Sequence, residues 1–77
     1  MTRKSMQIKN GIYQHYKGHK YRVLGVAKHS ESLEELVVYQ SLDNNDLWVR
    51  PIKMFLEDVP NLNGDGSMVP RFKYLEE

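Results

Sequence analysis

Short apolar runs separated by turn-forming residues recur along this chain, and the clearest pair lies between residues 35 and 55. Val37-Val38-Tyr39 is a β-branched and aromatic run, and Leu47-Trp48-Val49 is a second one. Residues 43–46, Asp-Asn-Asn-Asp, separate the two runs with side chains that favour turns. The pattern predicts a β-hairpin whose return strand ends at Arg50-Pro51, because proline has no amide hydrogen to donate to the ladder.

Similar patterns predict further strands on both sides of this hairpin. Residues 11–16 predict a strand with Ile12, Gln14 and Tyr16 on one face and Tyr13 and His15 on the other. Residues 21–27 are nearly continuous in apolar side chains, with Gly25 marking an expected bulge. Residues 57–67 are rich in Pro, Asn, Asp and Gly, which predicts a loop, with Asp65-Gly66 as a candidate hairpin tip. The whole pattern predicts less than about a tenth of the chain in α-helix. It predicts five antiparallel strands near residues 11–16, 20–28, 34–42, 46–50 and 69–74.

Five short strands without a long helix are typical of a small, strongly bent barrel. We therefore predict an all-β fold, a small SH3-like five-stranded antiparallel barrel or roll. The domain is expected to span residues 11–75, after a flexible basic leader at residues 1–10. Its core is expected to contain Val23, Val37, Val49 and Phe55.

Size and composition restrict the kinds of protein that this chain can form. A chain of 77 residues forms one domain, which buries only about 60% of the surface that its unfolded chain exposes, so a large enclosed active site is not expected. The chain has no cysteine, which excludes disulfides and thiolate metal sites. No apolar run approaches the roughly 20 residues of a membrane-spanning helix. We expect a cytoplasmic protein without a membrane partner.

Positive charge is concentrated at the beginning of the chain, although the net charge is only +1. Residues 1–30 contain seven lysines and arginines and no carboxylate, so they carry +7 and the remaining residues carry −6. One interpretation is that basic and acidic strands pair in the sheet and neutralise each other. The alternative is a persistent basic face that attracts a polyanion.

The polar residues form no pattern that is typical of an enzyme or a metal site. No serine lies in a nucleophile-elbow motif. His15 and His19 are four residues apart, but Gly18 places a turn between them, so they do not share a helical face. Asn63 and Asp65 have the spacing of calcium ligands, but the bidentate glutamate of a calcium loop is absent. We expect a noncatalytic protein with no cofactor and no metal.

The aromatic residues are numerous for so small a domain, with five tyrosines, two phenylalanines and one tryptophan. Most are expected to form the core, and those that reach the surface beside arginine or lysine can stack on bases or hold a peptide. If Leu47 and Val49 point into the barrel, strand alternation directs Trp48 and Arg50 outward together. If Trp48 lies in the core instead, Arg50 shares its face and needs a partner for its charge.

These features favour a small binding module, with two candidate ligands. The first is nucleic acid or another polyanion, bound through basic residues and aromatic stacking. The second is a peptide or protein, bound in an aromatic groove formed by residues 48–51 and 54–55. The default oligomeric state is a monomer. The candidate binding residues are Tyr13, His15, Lys17, Lys20, Arg22, Trp48, Arg50, Pro51 and Arg71.

Several blocks of the sequence resemble a known family. They are GIYQHYKG at residues 11–18, YRVLGVAKHSE at 21–31, LEELVVY at 33–39, LWVRP at 47–51, Met54-Phe55 and VPRF at 69–72. In this order, over about residues 11–75, the blocks resemble the bacterial family catalogued as domain of unknown function 1653. The resemblance implies an SH3-like roll, and it implies no established activity or ligand.

Overall fold

The structure, a computed structural model, describes residues 8–77 and contains two antiparallel sheets. Its elements, in chain order, are β1 (Gly11–His15), β2 (Lys20–Lys28), β3 (Glu35–Ser41), β4 (Leu47–Pro51), α1 (Ile52–Phe55), β5 (Asp58–Pro60), β6 (Met68–Pro70) and β7 (Phe72–Glu76). The larger sheet has the strand order β4-β3-β2-β1-β7, and β5 pairs with β6 in a separate hairpin. The five-stranded sheet is open, with β4 and β7 as its two edges.

The predicted all-β class and the five-stranded antiparallel sheet are confirmed. The helix α1 has only four residues, in agreement with the predicted helix content of less than about a tenth. The prediction of a single strand over residues 69–74 is wrong, because Arg71 separates β6 from β7. The Arg71 amide donates to the Glu57 carbonyl at 2.9 Å, and its own carbonyl accepts from the Tyr16 amide at 2.9 Å. These two bonds fix the chain where it passes from the small hairpin to the large sheet.

The predicted loop over residues 57–67 is shorter than expected, because part of it forms a strand, and its remainder is the tip of a hairpin. Asp58–Pro60 forms β5, which pairs with β6 through the register Val59 to Val69. The intervening residues form a turn that is stabilised by side-chain bonds, for example from the Ser67 amide to the Asp65 carboxylate at 2.8 Å. The expected irregularity at Gly25 is confirmed, because the β2–β3 register shifts between Val23 and Gly25.

The core lies between one face of the five-stranded sheet, which we call the core face, and α1. Its buried residues are Tyr13, Val23, Val37, Tyr39, Ile52, Phe55 and Phe72. The predicted burial of Val23, Val37 and Phe55 is confirmed, with exposures of 1%, 0% and 1%. Val49, by contrast, is 58% exposed. It pairs with Val38, so it points to the opposite, outer face of the sheet.

Aromatic contacts dominate the packing of this core. The rings of Phe55 and Phe72 stack in parallel with centroids 4.0 Å apart. Tyr39 meets both rings edge to face, at 5.5 Å and 5.4 Å. Such pairs contribute about 0.5 to 1.5 kcal/mol each beyond the area that they bury. A helix of one turn is therefore held in place by its aromatic residue rather than by its own backbone bonds.

The predicted leader at residues 1–10 lies mostly outside the described residues. Within the described part, Ile8 packs against the core and the Tyr13 hydroxyl donates to the Lys9 carbonyl at 2.8 Å. The part of the chain that the structure describes contains no helix of a length and hydrophobicity sufficient to cross a membrane.

A candidate basic and aromatic binding site

The register of β3 with β4 decides which side chains of β4 face the core. Tyr39 pairs with Trp48 and Val37 pairs with Arg50, and Tyr39 and Val37 are both core residues. Trp48 and Arg50 therefore lie on the core face, and the interpretation in which Leu47 and Val49 point inward is wrong. Trp48 nevertheless remains 50% exposed, because β4 is the edge of the sheet.

Arg50 finds aromatic rather than anionic partners on this face. Its Nε atom donates to the Tyr39 hydroxyl at 3.4 Å, and its guanidinium carbon lies 5.8 Å from the centre of the Phe72 ring. No ion pair within residues 8–77 involves Arg50. A half-buried guanidinium held by a ring and a hydroxyl keeps its positive charge available to an anion.

His15 lies against the same Phe72 ring from the neighbouring strand β1. The two rings meet edge to face at 4.9 Å, and the Tyr16 ring lies 4.7 Å from the imidazole. The Lys17 amide donates to Nδ1 of His15 at 3.1 Å, which requires that nitrogen to be unprotonated. The Phe72 ring is thus in contact with both the His15 imidazole and the Arg50 guanidinium.

Positive charge surrounds this imidazole. Burial lowers the pKa of His15 below its ordinary value of 6.5, and nearby cations lower it further, in the order Arg50, Lys17, Arg71 and His19. These cations come from distant parts of the sequence, and the fold brings them close enough to His15 to lower its pKa. We call His15, Lys17, Arg50 and Arg71 the basic cluster.

The lowered pKa predicts that the protein loses stability on mild acidification. The unfolded chain binds a proton at His15 more readily than the folded protein does, so the contribution of neutral His15 is complete above about pH 6.5. It is lost as the pH falls through the lowered pKa of the folded state. We expect urea midpoints to fall between about pH 7 and about pH 5, and to fall less in His15→Gln. Equal slopes in the parent protein and in His15→Gln would contradict the lowered pKa of His15.

Arg71 differs from Arg50 because it has a carboxylate partner. Its Nη2 atom donates to Glu57 at 3.0 Å, and its side chain is only 20% exposed. The Nε atom of Arg71 is buried and makes no hydrogen bond within the described residues. Glu57 therefore offsets part of the charge of Arg71, and Arg50 and the exposed Lys17 remain the main cationic contributors of the basic cluster.

An open groove of about 450 Å³ begins at His15 and Tyr16 and runs toward the small hairpin. Its other lining residues are Gln14, Gly18, Asn61, Val69, Pro70 and Lys73. The groove combines apolar side chains with amide groups and one further cation.

The structure separates other predicted site residues from the basic cluster. Tyr13 is buried in the core and cannot stack on a ligand. Lys20 and Arg22 alternate with the core residues of β2, so they lie on the outer face, where Arg22 lines a different open groove. Pro51 pairs with Leu36 and also lies on the outer face.

The predicted aromatic groove for a peptide is incomplete. Phe55 is buried beneath Phe72, and Met54 beside it is 44% exposed. Trp48 and Pro51 point to opposite faces of β4 because their positions differ by three residues. These residues therefore do not form the continuous apolar surface that the predicted groove requires.

Sequence reasoning did not assign Tyr16, Tyr21, Phe72 or Lys73 to the site. The centre of the Tyr21 ring lies 6.5 Å from that of His15 and 5.8 Å from that of Phe72. Tyr21 therefore belongs to the group of aromatic rings that packs against the basic cluster. Tyr21 and Val23 are two residues apart on β2, so they lie on the same face of the strand. This spacing was the sequence signal that could have assigned Tyr21 to the site. The position of Phe72 depends on the pairing of β7 with β1, which has no local signature.

The interpretation in which basic and acidic strands neutralise each other in the sheet holds at one cross-strand position. Lys28 on β2 stands opposite Glu35 on β3. The ion pairs among residues 8–77 join His19 to Asp43 and Arg71 to Glu57. No three His, Asp or Glu side chains come together in this part of the chain in an arrangement that holds a metal.

The fold and the surface together define a small all-β protein with a basic and aromatic surface where Arg50, on one edge strand, approaches Phe72, on the other. The chain belongs to the family described as Protein of unknown function (DUF1653), whose model matches residues 11–74, so the resemblance of the sequence blocks is confirmed. The chain is similar to a protein of that family from Bordetella bronchiseptica, solved by crystallography. The two are 34% identical with a TM-score of 0.80, over 91% of this chain and 90% of the other. No curated protein matches the chain.

Proposed function

We propose that this protein is a noncatalytic binding module for a polyanion, and that single-stranded nucleic acid is the ligand that suits the site best. The observation that carries the proposal is Arg50, a half-buried cation that has no carboxylate partner among residues 8–77 and lies over the Phe72 ring, which His15 also contacts. Sites for single strands combine cations for phosphates with aromatic rings for bases. This combination occurs here within a few side chains.

Each group has a distinct part in this proposal. Arg50 and Lys17 contact phosphate oxygens, and Trp48 and Tyr16 provide rings on which bases stack. Stacking contributes about 1 to 3 kcal/mol per base, and phosphate contacts add a term that weakens with salt. Because few groups are involved, the affinity is modest and tolerant of sequence.

A peptide or protein ligand is the alternative, and its response to salt distinguishes it. Phosphate contacts lose affinity steeply as salt increases, whereas apolar contacts respond little. The burial of Phe55 removes one side of the predicted peptide groove, which favours the polyanion.

The experiment is a titration with short single-stranded RNA and DNA, followed by Trp48 fluorescence and by amide chemical shifts. We expect shifts at His15, Lys17, Trp48 and Arg50, and an affinity that falls several-fold between about 50 mM and about 200 mM salt. Shifts at the outer-face residues Lys20 and Arg22 should be small. No shift at about 1 mM oligonucleotide, or an affinity that is independent of salt, would contradict the proposal.

Two finer assignments belong to the same proposal. The fold is an open SH3-like roll, which is supported by five short, sequentially connected antiparallel strands and a one-turn helix. The site of action is the cytoplasm, which is supported by the complete absence of cysteine. Localisation of the tagged protein in cells tests the second assignment.

A further inference from the structure

The edge strand β4 exposes apolar side chains on both faces of the sheet. Leu47, Trp48 and Val49 are 64%, 50% and 58% exposed. Within residues 8–77, β3 is the only strand that pairs with β4. Natural edge strands normally carry charges or bulges, because an open edge accepts another strand. The opposite edge, β7, carries Lys73 and Glu76. On β4 the charge and the proline, Arg50 and Pro51, are confined to its end, and residues 47–49 are all apolar.

The hydrogen-bonding pattern shows which backbone groups of β4 point away from β3. The Ser41 amide donates to the Asp46 carbonyl at 2.9 Å, so this pair is hydrogen-bonded. Hydrogen-bonded pairs alternate along an antiparallel ladder, so Trp48 and Arg50 also bond to β3. The amide and carbonyl of Leu47 and Val49 therefore point to the open edge. Pro51 occupies the next outward position. Because the backbone of this position points away from β3, the proline costs no hydrogen bond to β3.

We propose that β4 pairs with β4 of a second copy of this chain, antiparallel and centred on Val49. The two Val49 residues then form a hydrogen-bonded pair, in which each amide donates to the carbonyl of its counterpart. The interface is isologous, as two-fold interfaces require, and it joins the two five-stranded sheets into one continuous sheet.

The five residues of β4 complement themselves in this register, which is why the occupant is a second copy. Val49 meets Val49 and Leu47 meets Pro51 on the outer face, so apolar side chains cover apolar side chains. On the core face, Trp48 stands opposite Arg50 and covers its methylene stem. No two like charges stand directly opposite each other. An unrelated strand would match these alternating requirements only by coincidence.

The short strand limits the strength of this association. Five residues form an edge about 17 Å long, which is too short to bury the roughly 800 Å² per partner of a stable complex. We therefore expect a dissociation constant on the order of 0.1 mM, with monomers at low concentration and dimers at high concentration.

Sedimentation equilibrium of the full chain between about 10 μM and about 1 mM tests the pairing. Val49→Lys places two ammonium groups opposite each other at the centre, and we expect it to raise the dissociation constant at least about tenfold. The matched control is Leu62→Lys, the same kind of change at a 65% exposed residue in the small hairpin turn. Leu62→Lys should associate like the parent protein.

A second pair of variants tests the register and does not depend on the loss of apolar area. Trp48→Lys and Trp48→Glu remove the same ring but differ in sign opposite Arg50 of the second copy. We expect Trp48→Glu to associate at least several-fold more tightly than Trp48→Lys. Circular dichroism confirms that each variant is folded.

Three outcomes would overturn the proposal. They are a parent protein that is monomeric at about 1 mM, equal association of Val49→Lys and Leu62→Lys, and equal association of the two Trp48 variants. If the parent is monomeric and the β4 amides shift only when an extended peptide is added, the edge accepts a foreign strand and not a second copy.

Discussion

Phe55→Ala is expected to lower the free energy of unfolding by about 3 to 5 kcal/mol. The side chain is 1% exposed, stacks on Phe72 at 4.0 Å and contacts Tyr13 and Tyr39 edge to face, so its removal leaves a cavity among rings that cannot all move inward. A domain of this size has a total stability of about 4 to 10 kcal/mol. The variant should therefore be close to unfolded at room temperature.

Urea denaturation followed by circular dichroism measures this effect, and two valines provide its control. Val37→Ala removes a fully buried side chain and is expected to cost about 2 to 3 kcal/mol. Val49→Ala makes the same change on the adjacent strand, where the side chain is 58% exposed, and should cost less than about 1 kcal/mol. Equal losses for the two valines would mean that the register of β4 is wrong.

The strands of the first half of the chain were predictable because their boundaries coincide with turn-forming residues. β1, β2 and β3 begin or end beside Gly11, Gly18 or the polar residues 43–46, and each carries enough β-branched or aromatic side chains to identify it. Burial of Val23 and Val37 followed from the same local pattern.

The orientation of β4 was not predictable from its own residues. Leu47-Trp48-Val49 is apolar at every position, so a period of two has no phase there and either face can be assigned to the core. The phase is set by the turn, in which the Ser41 amide bonds to the Asp46 carbonyl. One residue more or less in that turn would turn Val49 to the core face and Arg50 to the outer face.

The small hairpin and the site were hidden for different reasons. β5 and β6 have three residues each, too few to show an alternation, and both contain proline. The basic cluster joins residues that are far apart in sequence, since the β1–β7 pairing brings Phe72 opposite His15. Long-range pairing of this kind follows from the whole topology and has no local sequence signal.

The second large effect is expected for Arg50→Gln, which should weaken binding of a single-stranded oligonucleotide about tenfold, equivalent to about 1.4 kcal/mol. Arg50 lies over the Phe72 ring, is partly buried and has no carboxylate partner among residues 8–77. Its loss removes one phosphate contact, so the slope of log affinity against log salt should become shallower by about 0.7. Arg22→Gln removes the same charge from the outer face and should change the affinity less than about twofold.

These two arginines separate a local site from a general attraction to the charge of the protein. Both variants have the same net charge, so nonspecific attraction would weaken equally in both. Arg50→Lys should recover part of the affinity, because an ammonium group contacts a phosphate but lacks the planar fork that lies over Phe72. Titrations monitored by Trp48 fluorescence give all four affinities under one condition. Equal weakening in Arg50→Gln and Arg22→Gln would assign the binding to overall charge and would remove the basic cluster as a site, whereas a loss confined to Arg50 would place the phosphate beside His15.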